Sequence, residues 1–212
     1  MSDGAGEPPP TPLHSVSVAG VVVREGGMSF YEQHRDFVEE LERIAPEGVR
    51  IEWSGDALII QASPSNIHQL NVAQVRRQFE QHAPDGYLPS ERGEIVSPDV
   101  SKGREPDLTY LPLEVLFRSG NQAPAEEALI AVEIVSPSNP GNDWMDKLHD
   151  YAAMRIPLYL IVDPRQQTVT LFSEPNHDRY HTRSNRKFGD AIGIPEPFGF
   201  TLGLSKLVPY KD

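Results

Sequence analysis

Two hydrophobic rhythms run along this chain, and each predicts a different kind of element. From Ser29, a suitable N-cap, Phe30, Phe37, Val38, Leu41 and Ile44 recur at helical spacing until Pro46, which predicts a first helix. "VRIEW" and "ALIIQA" read as strands, and Ser54, Gly55 and Asp56 between them supply a turn, so this stretch predicts a hairpin. A second helix starts near "SPSN" and runs through "IHQLNVAQVRRQFEQH", with Ile67, Leu70, Val75 and Phe79 apolar and Pro84 beyond its end. Short strands are expected at "YLPS", "GEIV" and "DLTYL".

The run at 128–136 is different, because Leu129, Ile130, Ala131, Val132, Ile134 and Val135 are apolar on both faces while Glu133 sits among them. That pattern predicts a strand buried on both sides. "NDWMDKLHDYAAM" follows as a helix capped by Asn142 or Asp143, with Trp144, Leu148, Tyr151 and Ala152 on one face. "PLYLIVD" and "TVTLF" are the next strands, joined by a turn at "PRQQ". Strand, helix and strand over 128–163 form a βαβ crossover, so the expected class is α/β (α+β), a mixed sheet flanked by helices. The Pro, Gly and acid content of "MSDGAGEPPPTP" cannot bury a core, and residues 1–27 are expected to form a tail or arm, at least partly disordered, ahead of a single domain at 28–212.

Composition narrows the chemistry. There is no cysteine, which excludes disulfides and thiolate metal sites. No apolar run reaches the roughly 18 residues of a membrane span, and a signal pattern is missing, so a cytoplasmic protein is expected. The formal charge of −12 argues against a general nucleic-acid coat protein but not against a nuclease, since a metal can neutralise acids that cluster at a site. "RYHTRSNRK" is locally basic and could touch phosphate, although a solvated hairpin on an acidic protein is the simpler reading. His149, His177 and His181 lack the spacing of zinc ligands.

Glu133 therefore carries the question of function, because a carboxylate buried without a partner costs several kcal/mol. Its neighbours in sequence offer no cation, so its charge has to be stabilised from across the sheet. A second carboxylate sharing a divalent cation would do this, and Mg²⁺ is commonly held by one or two carboxylates, waters and substrate phosphate. Asp99 and Asp107 both follow proline, but Asp107 opens the extended run "DLTYL" whereas Asp99 lies in a loop-like segment. Asp107 is the better candidate. Lys147, three residues after Trp144, borders the packed face of the following helix, and its ammonium can reach the strand end to orient an attacking water. The plainer alternative is a surface lysine paired with Asp143 at i−4.

Taken together, "EPDLTYLP", "AVEIVSPSNP" and "NDWMDKLHDYAAMRIPLYLIVDP" resemble the bacterial Uma2 family, assigned to the restriction endonucleases within the PD-(D/E)XK nuclease superfamily. "VRIEWSGDALIIQASPSNIH" resembles the family's first hairpin and its His-bearing helix start. The resemblance implies a restriction-endonuclease-like core in which Asp107 and Glu133 bind Mg²⁺ or Mn²⁺, with the main-chain carbonyl of Ile134 as a further ligand. The superfamily lysine, two positions after the glutamate, is Val135 here, and Lys147 matches the place to which that lysine moves in Uma2-like sequences. Glu52 and His68 match frequent family positions and are accessory candidates. An exposed strand glutamate and a histidine bonding locally at a helix start are the simpler readings of those two.

The expected activity is metal-dependent hydrolysis of DNA phosphodiester bonds, possible as a homodimer on a twofold-symmetric duplex. The alternative is a nuclease-fold module that binds nucleic acid or a protein partner without cutting. Two carboxylates acting on a sugar are a weaker third reading, since no glycosidase motif is visible.

Overall fold

The computed structural model describes residues 64–210 except 119, 121 and 138, the backbone of strands at 50–54 and 57–61, and six helical residues between 36 and 44. The expected N-terminal tail and Ser29 lie outside the described residues. Within the first predicted helix, Asp36, Phe37, Glu40, Leu41, Arg43 and Ile44 are helical, and Phe37 and Ile44 of its apolar face are exposed.

Strands β1 (Arg50–Ser54) and β2 (Ala57–Gln61) form the predicted hairpin, with Ser54 opposite Ala57. Helix α1 (Asn66–Phe79) starts where the sequence places it: Ser65 is extended at φ −71°, and its side chain accepts from the His68 amide, capping the first turn. Its buried face carries Val72, Val75 and Phe79. β3 (Tyr87–Ser90), β4 (Glu94–Ser97), β5 (Lys102–Arg104) and β6 (Leu108–Pro112) follow. After β6, "LEVL" is a single helical turn, α2 (Leu113–Leu116), before β7 (Gln122–Pro124) and the buried strand β8 (Ile130–Ile134).

The crossover from β8 passes through a π-helical turn (Asn142–Asp146) into α3 (Lys147–Ala153) and returns as β9 (Leu158–Asp163), parallel to β8. β10 (Thr168–Asn176) and β11 (Arg179–Lys187) form a long hairpin, and β12 (Ala191–Ile194) pairs with β13 (Phe200–Gly203). One expectation needs correcting: neither Asn142 nor Asp143 caps the helix, which has no side-chain cap hydrogen bond at its start. Both residues are buried inside the π turn instead.

The strands divide between two large sheets where the sequence predicts one. A mixed six-stranded sheet has the order β11-β10-β9-β8-β6-β3, and a five-stranded sheet has the order β2-β1-β5-β4-β7. Alternation along β8 explains how the first is enclosed. Ile130, Val132 and Ile134 face a core shared with α1 and the β12–β13 hairpin, whereas Ala131 and Val135 face a second core with Tyr151 and Met154 of the crossover and Ile95 and Ala123 of the other sheet. Glu133 lies on that second side. Among the described residues no helix is long and apolar enough to cross a membrane.

Candidate active site

The parallel strands β8 and β9 end at the same edge of the sheet, so Glu133, Ile134 and Asp163 lie side by side there. β6 runs antiparallel to β8 and begins at that edge, with Leu108 paired to Val132 and Thr109 to Ala131. Asp107 immediately precedes β6, one residue before the Leu108–Val132 pair, and Glu133 follows Val132 on β8. Both carboxylates are buried, at 3% and 2% exposure. Asp99, by contrast, is exposed in a 3₁₀ turn.

Glu133 owes its place in the sheet to the crossover helix. Its Oε1 accepts a hydrogen bond from Lys147 Nζ at 2.9 Å and another from the Tyr151 hydroxyl at 2.6 Å. The Glu133 charge is met by a lysine on the next element, with Tyr151 one turn further along the same helix face. Lys147 is 1% exposed and no surface residue, and Asp143 Oδ1, at 3.9 Å, is the more distant of its two acidic neighbours. The π turn before α3 sets this aim, since one extra residue per turn rotates the rest of the helix about its axis. Tyr159 fixes the turn from below by donating to the Asp143 carbonyl at 2.8 Å.

Asp107 is held from the other side. Its Oδ2 accepts from the Ile134 amide at 2.9 Å, and His68 Nε2 lies 2.9 Å from the same oxygen. The His68 amide bonds locally to Ser65, but its ring turns inward to Asp107. Although the Nε2–Oδ2 distance is short, the ring is not aligned for a hydrogen bond, and Nε2 is buried without one.

That misalignment bears on whether a metal ion fits. Two donor atoms each about 2.1 Å from one ion and at right angles around it stand about 3 Å apart without bonding to each other. His68 Nε2 and Asp107 Oδ2, 2.9 Å apart, have that spacing. Among the described residues no three His, Asp or Glu side chains gather closely enough to enclose an ion by themselves. An ion here would take these donors together with water and substrate, as Mg²⁺ characteristically does.

Of the remaining candidates, Glu52 lies on β1 beside β5, and its side chain falls outside the described residues. Asp163, at the end of β9, caps the turn that follows through the Arg165 and Gln166 amides, is fully buried and also accepts from Trp144 Nε1 at 3.0 Å. Burial pushes its carboxyl up, but the hydrogen bonds of Arg165 and Trp144 outweigh this and hold it below its ordinary value. Sequence reasoning missed Tyr151 as a site residue, since it counts equally well as a core position of the helix. It also missed Asp150, whose carboxylate meets Lys102 Nζ at 2.7 Å and the buried Arg104 guanidinium at 2.5 Å, tying α3 to β5 of the second sheet. No sequence signal joins those residues, which are nearly fifty positions apart.

The chain matches the family model of Uma2, described as "Putative restriction endonuclease", over residues 38–205. No curated protein matches it. Among solved structures, a "putative nuclease" from Anabaena variabilis superposes with a TM-score of 0.62 at 14% identity, covering 80% of this chain and 96% of the other. At that identity the likeness speaks for the fold, a restriction-endonuclease-like mixed sheet with few helices.

Proposed function

The chain belongs to the Uma2 family, and from that membership together with the strand-edge carboxylates we propose that it is a divalent-metal-dependent endonuclease that hydrolyses DNA phosphodiester bonds. What supports the reading is the burial of two carboxylates, Asp107 just before β6 and Glu133 on the neighbouring β8, with the buried Lys147 bonded to Glu133 and His68 beside Asp107. A core that served packing alone would have little use for this set, because each polar group has to be compensated.

Asp107 and Glu133 would hold Mg²⁺ or Mn²⁺ together with water and substrate oxygens, with the Ile134 carbonyl as the further ligand that the family resemblance implies. The chemistry that such an ion supplies when bound is polarisation of a phosphoryl oxygen and a lowered pKa for a coordinated water. The Ile134 amide fixes one Asp107 oxygen. Tyr151 fixes Glu133, so that Lys147 is held as an ammonium at the place where charge develops on the phosphate. Attack by water leaves no covalent intermediate on the protein.

The test is nicking of supercoiled plasmid with and without Mg²⁺ or Mn²⁺. The wild-type chain should nick only with metal. Asp107→Ala and Glu133→Ala should each lose that activity, at least about a hundredfold, with unchanged circular dichroism. Variants as active as the wild type would overturn the site, and a wild-type chain that binds duplex DNA but cuts nothing would favour a binding module on the same fold.

A further inference from the structure

The basic segment of the sequence has no part in the chemistry at the strand edge. As β11 it carries Arg179, Arg183, Arg186 and Lys187 and no acidic residue among its nine positions, in a chain of formal charge −12. It is an edge strand of the six-stranded sheet, and all four cations are exposed. Among the described residues only Arg179 of the four has an acidic partner, Asp178 at 3.7 Å. Charges on an edge strand keep it from pairing with other chains, but that role asks neither for one sign of charge nor for one face.

Strand register places two of these cations. Across β10 and β11, Phe172 pairs with Arg183, Thr170 with Asn185 and Thr168 with Lys187. Phe172 belongs to the core on the Glu133 side of the sheet, and Thr170 pairs with Ile161, which pairs with Glu133. Arg183, Asn185 and Lys187 therefore share the face of Glu133. Side-chain contacts agree: Asn185 Nδ2 donates to Thr170 Oγ1 at 2.6 Å, and the Arg183 guanidinium carbon lies 5.6 Å from the centre of the Phe172 ring and 5.8 Å from that of Trp144. Trp144 belongs to the π turn that leads into Lys147, and its indole bonds to Asp163. Arg183 thus rests on the turn that aims Lys147 at Glu133. Three strand spacings separate β8 from β11, about 14 Å, close to the roughly 12 Å width of the DNA major groove.

We propose that Arg183 and Lys187 of β11 form a docking surface for the phosphate backbone of duplex DNA, holding the duplex beside the carboxylate edge. The choice of DNA as the partner rests on the nuclease reading above. An acidic chain repels DNA, so its affinity has to come from cations gathered where the duplex lies, and β11 gathers them on the face of Glu133 about one groove width away. Stacking on Phe172 and Trp144 holds the Arg183 guanidinium in place without engaging its N–H groups, which stay available for a phosphate. Lys187 adds a point charge further along the same face.

The experiment follows the fluorescence anisotropy of a short labelled DNA duplex with the full chain in EDTA, over a series of salt concentrations. Arg183→Gln/Lys187→Gln should raise Kd about tenfold or more and flatten the slope of log Kd against log salt by about 1.8, since each phosphate contact contributes about 0.9. Arg77→Gln/Lys206→Gln removes the same charge from exposed positions on α1 and after β13, which pack on the other face of the sheet, and should leave both quantities unchanged. Equal losses in the two double variants would reduce the effect to net charge and overturn the proposal. If Arg183→Gln melts early, Lys187→Gln alone still has to flatten the slope by about 0.9. A wild-type chain that binds no duplex would leave these cations to an acidic protein partner and refute the surface. If the wild type nicks plasmid with metal and the β11 variant keeps its Kd and slope, the docking surface is refuted and the nuclease reading stands. Binding through β11 without nicking by any divalent ion would sink the nuclease reading and leave the surface to a DNA-binding module.

Discussion

A carboxylate and an ammonium enclosed together are stable only as a pair, and Glu133 with Lys147 is such a pair, at 2% and 1% exposure. Removing one partner leaves a buried charge uncompensated, which typically costs about 3–5 kcal/mol, whereas replacing both with uncharged groups of similar shape is often close to neutral. Lys147→Met alone should therefore lower urea-unfolding stability by about that amount, and Glu133→Gln/Lys147→Met should recover most of it. A single variant as stable as the wild type would mean that the pair is hydrated in solution. At this scale the sequence is informative about Glu133, because an ionisable residue inside an apolar run has to be explained. It says less about Lys147, for which burial against Glu133 and surface pairing with Asp143 fit the same spacing.

The helices and strands of the site are legible where local patterns determine them, as in the Ser65 cap of α1 and the apolar run of β8, and least so at the start of the crossover helix. Apolar spacing through Trp144, Leu148 and Tyr151 predicts a helix but carries no signal for a π turn, which differs from an α-turn in its backbone hydrogen-bond pattern. The anchor of that turn is remote: Asp163 at the β9 end holds the Trp144 indole, and Arg165 holds Asp163. Because the folded state keeps the Asp163 carboxyl below its ordinary value of 3.8, the stability it contributes is fully present above that pH and is lost as pH falls through the lower folded value. Asp163→Asn should accordingly be less stable than the wild type at pH 6 to 7, and the gap between their melting temperatures should close as the pH drops below about 3.8. A gap that stays constant with pH would locate the contribution in hydrogen-bond geometry alone.

For the whole molecule, the division into two sheets was beyond the reach of sequence because its pairings are distant: β1 joins β5, β4 lies parallel to β7, and Arg104 of one sheet meets Asp150 of the other sheet's crossover helix. Those contacts bring α3 down on β8, so metal binding at the strand edge and the folding of the chain should be coupled. An ion that binds the folded chain and not the unfolded one adds about 2.7 kcal/mol of stability at a hundred times its Kd. In a chain of this size, 1 kcal/mol moves the melting temperature by about 2–4 °C, so saturating Mn²⁺ should raise it by roughly 5–10 °C. Asp107→Ala removes the carboxylate that accepts from the Ile134 amide and lies beside His68 and should abolish most of that rise, while Glu91→Ala, whose partner is Arg76 on the exposed side of α1, should retain it. An equal rise in both variants would show that the ion binds elsewhere on this acidic surface, and the burial of Asp107 and Glu133 would then have to be explained without a metal.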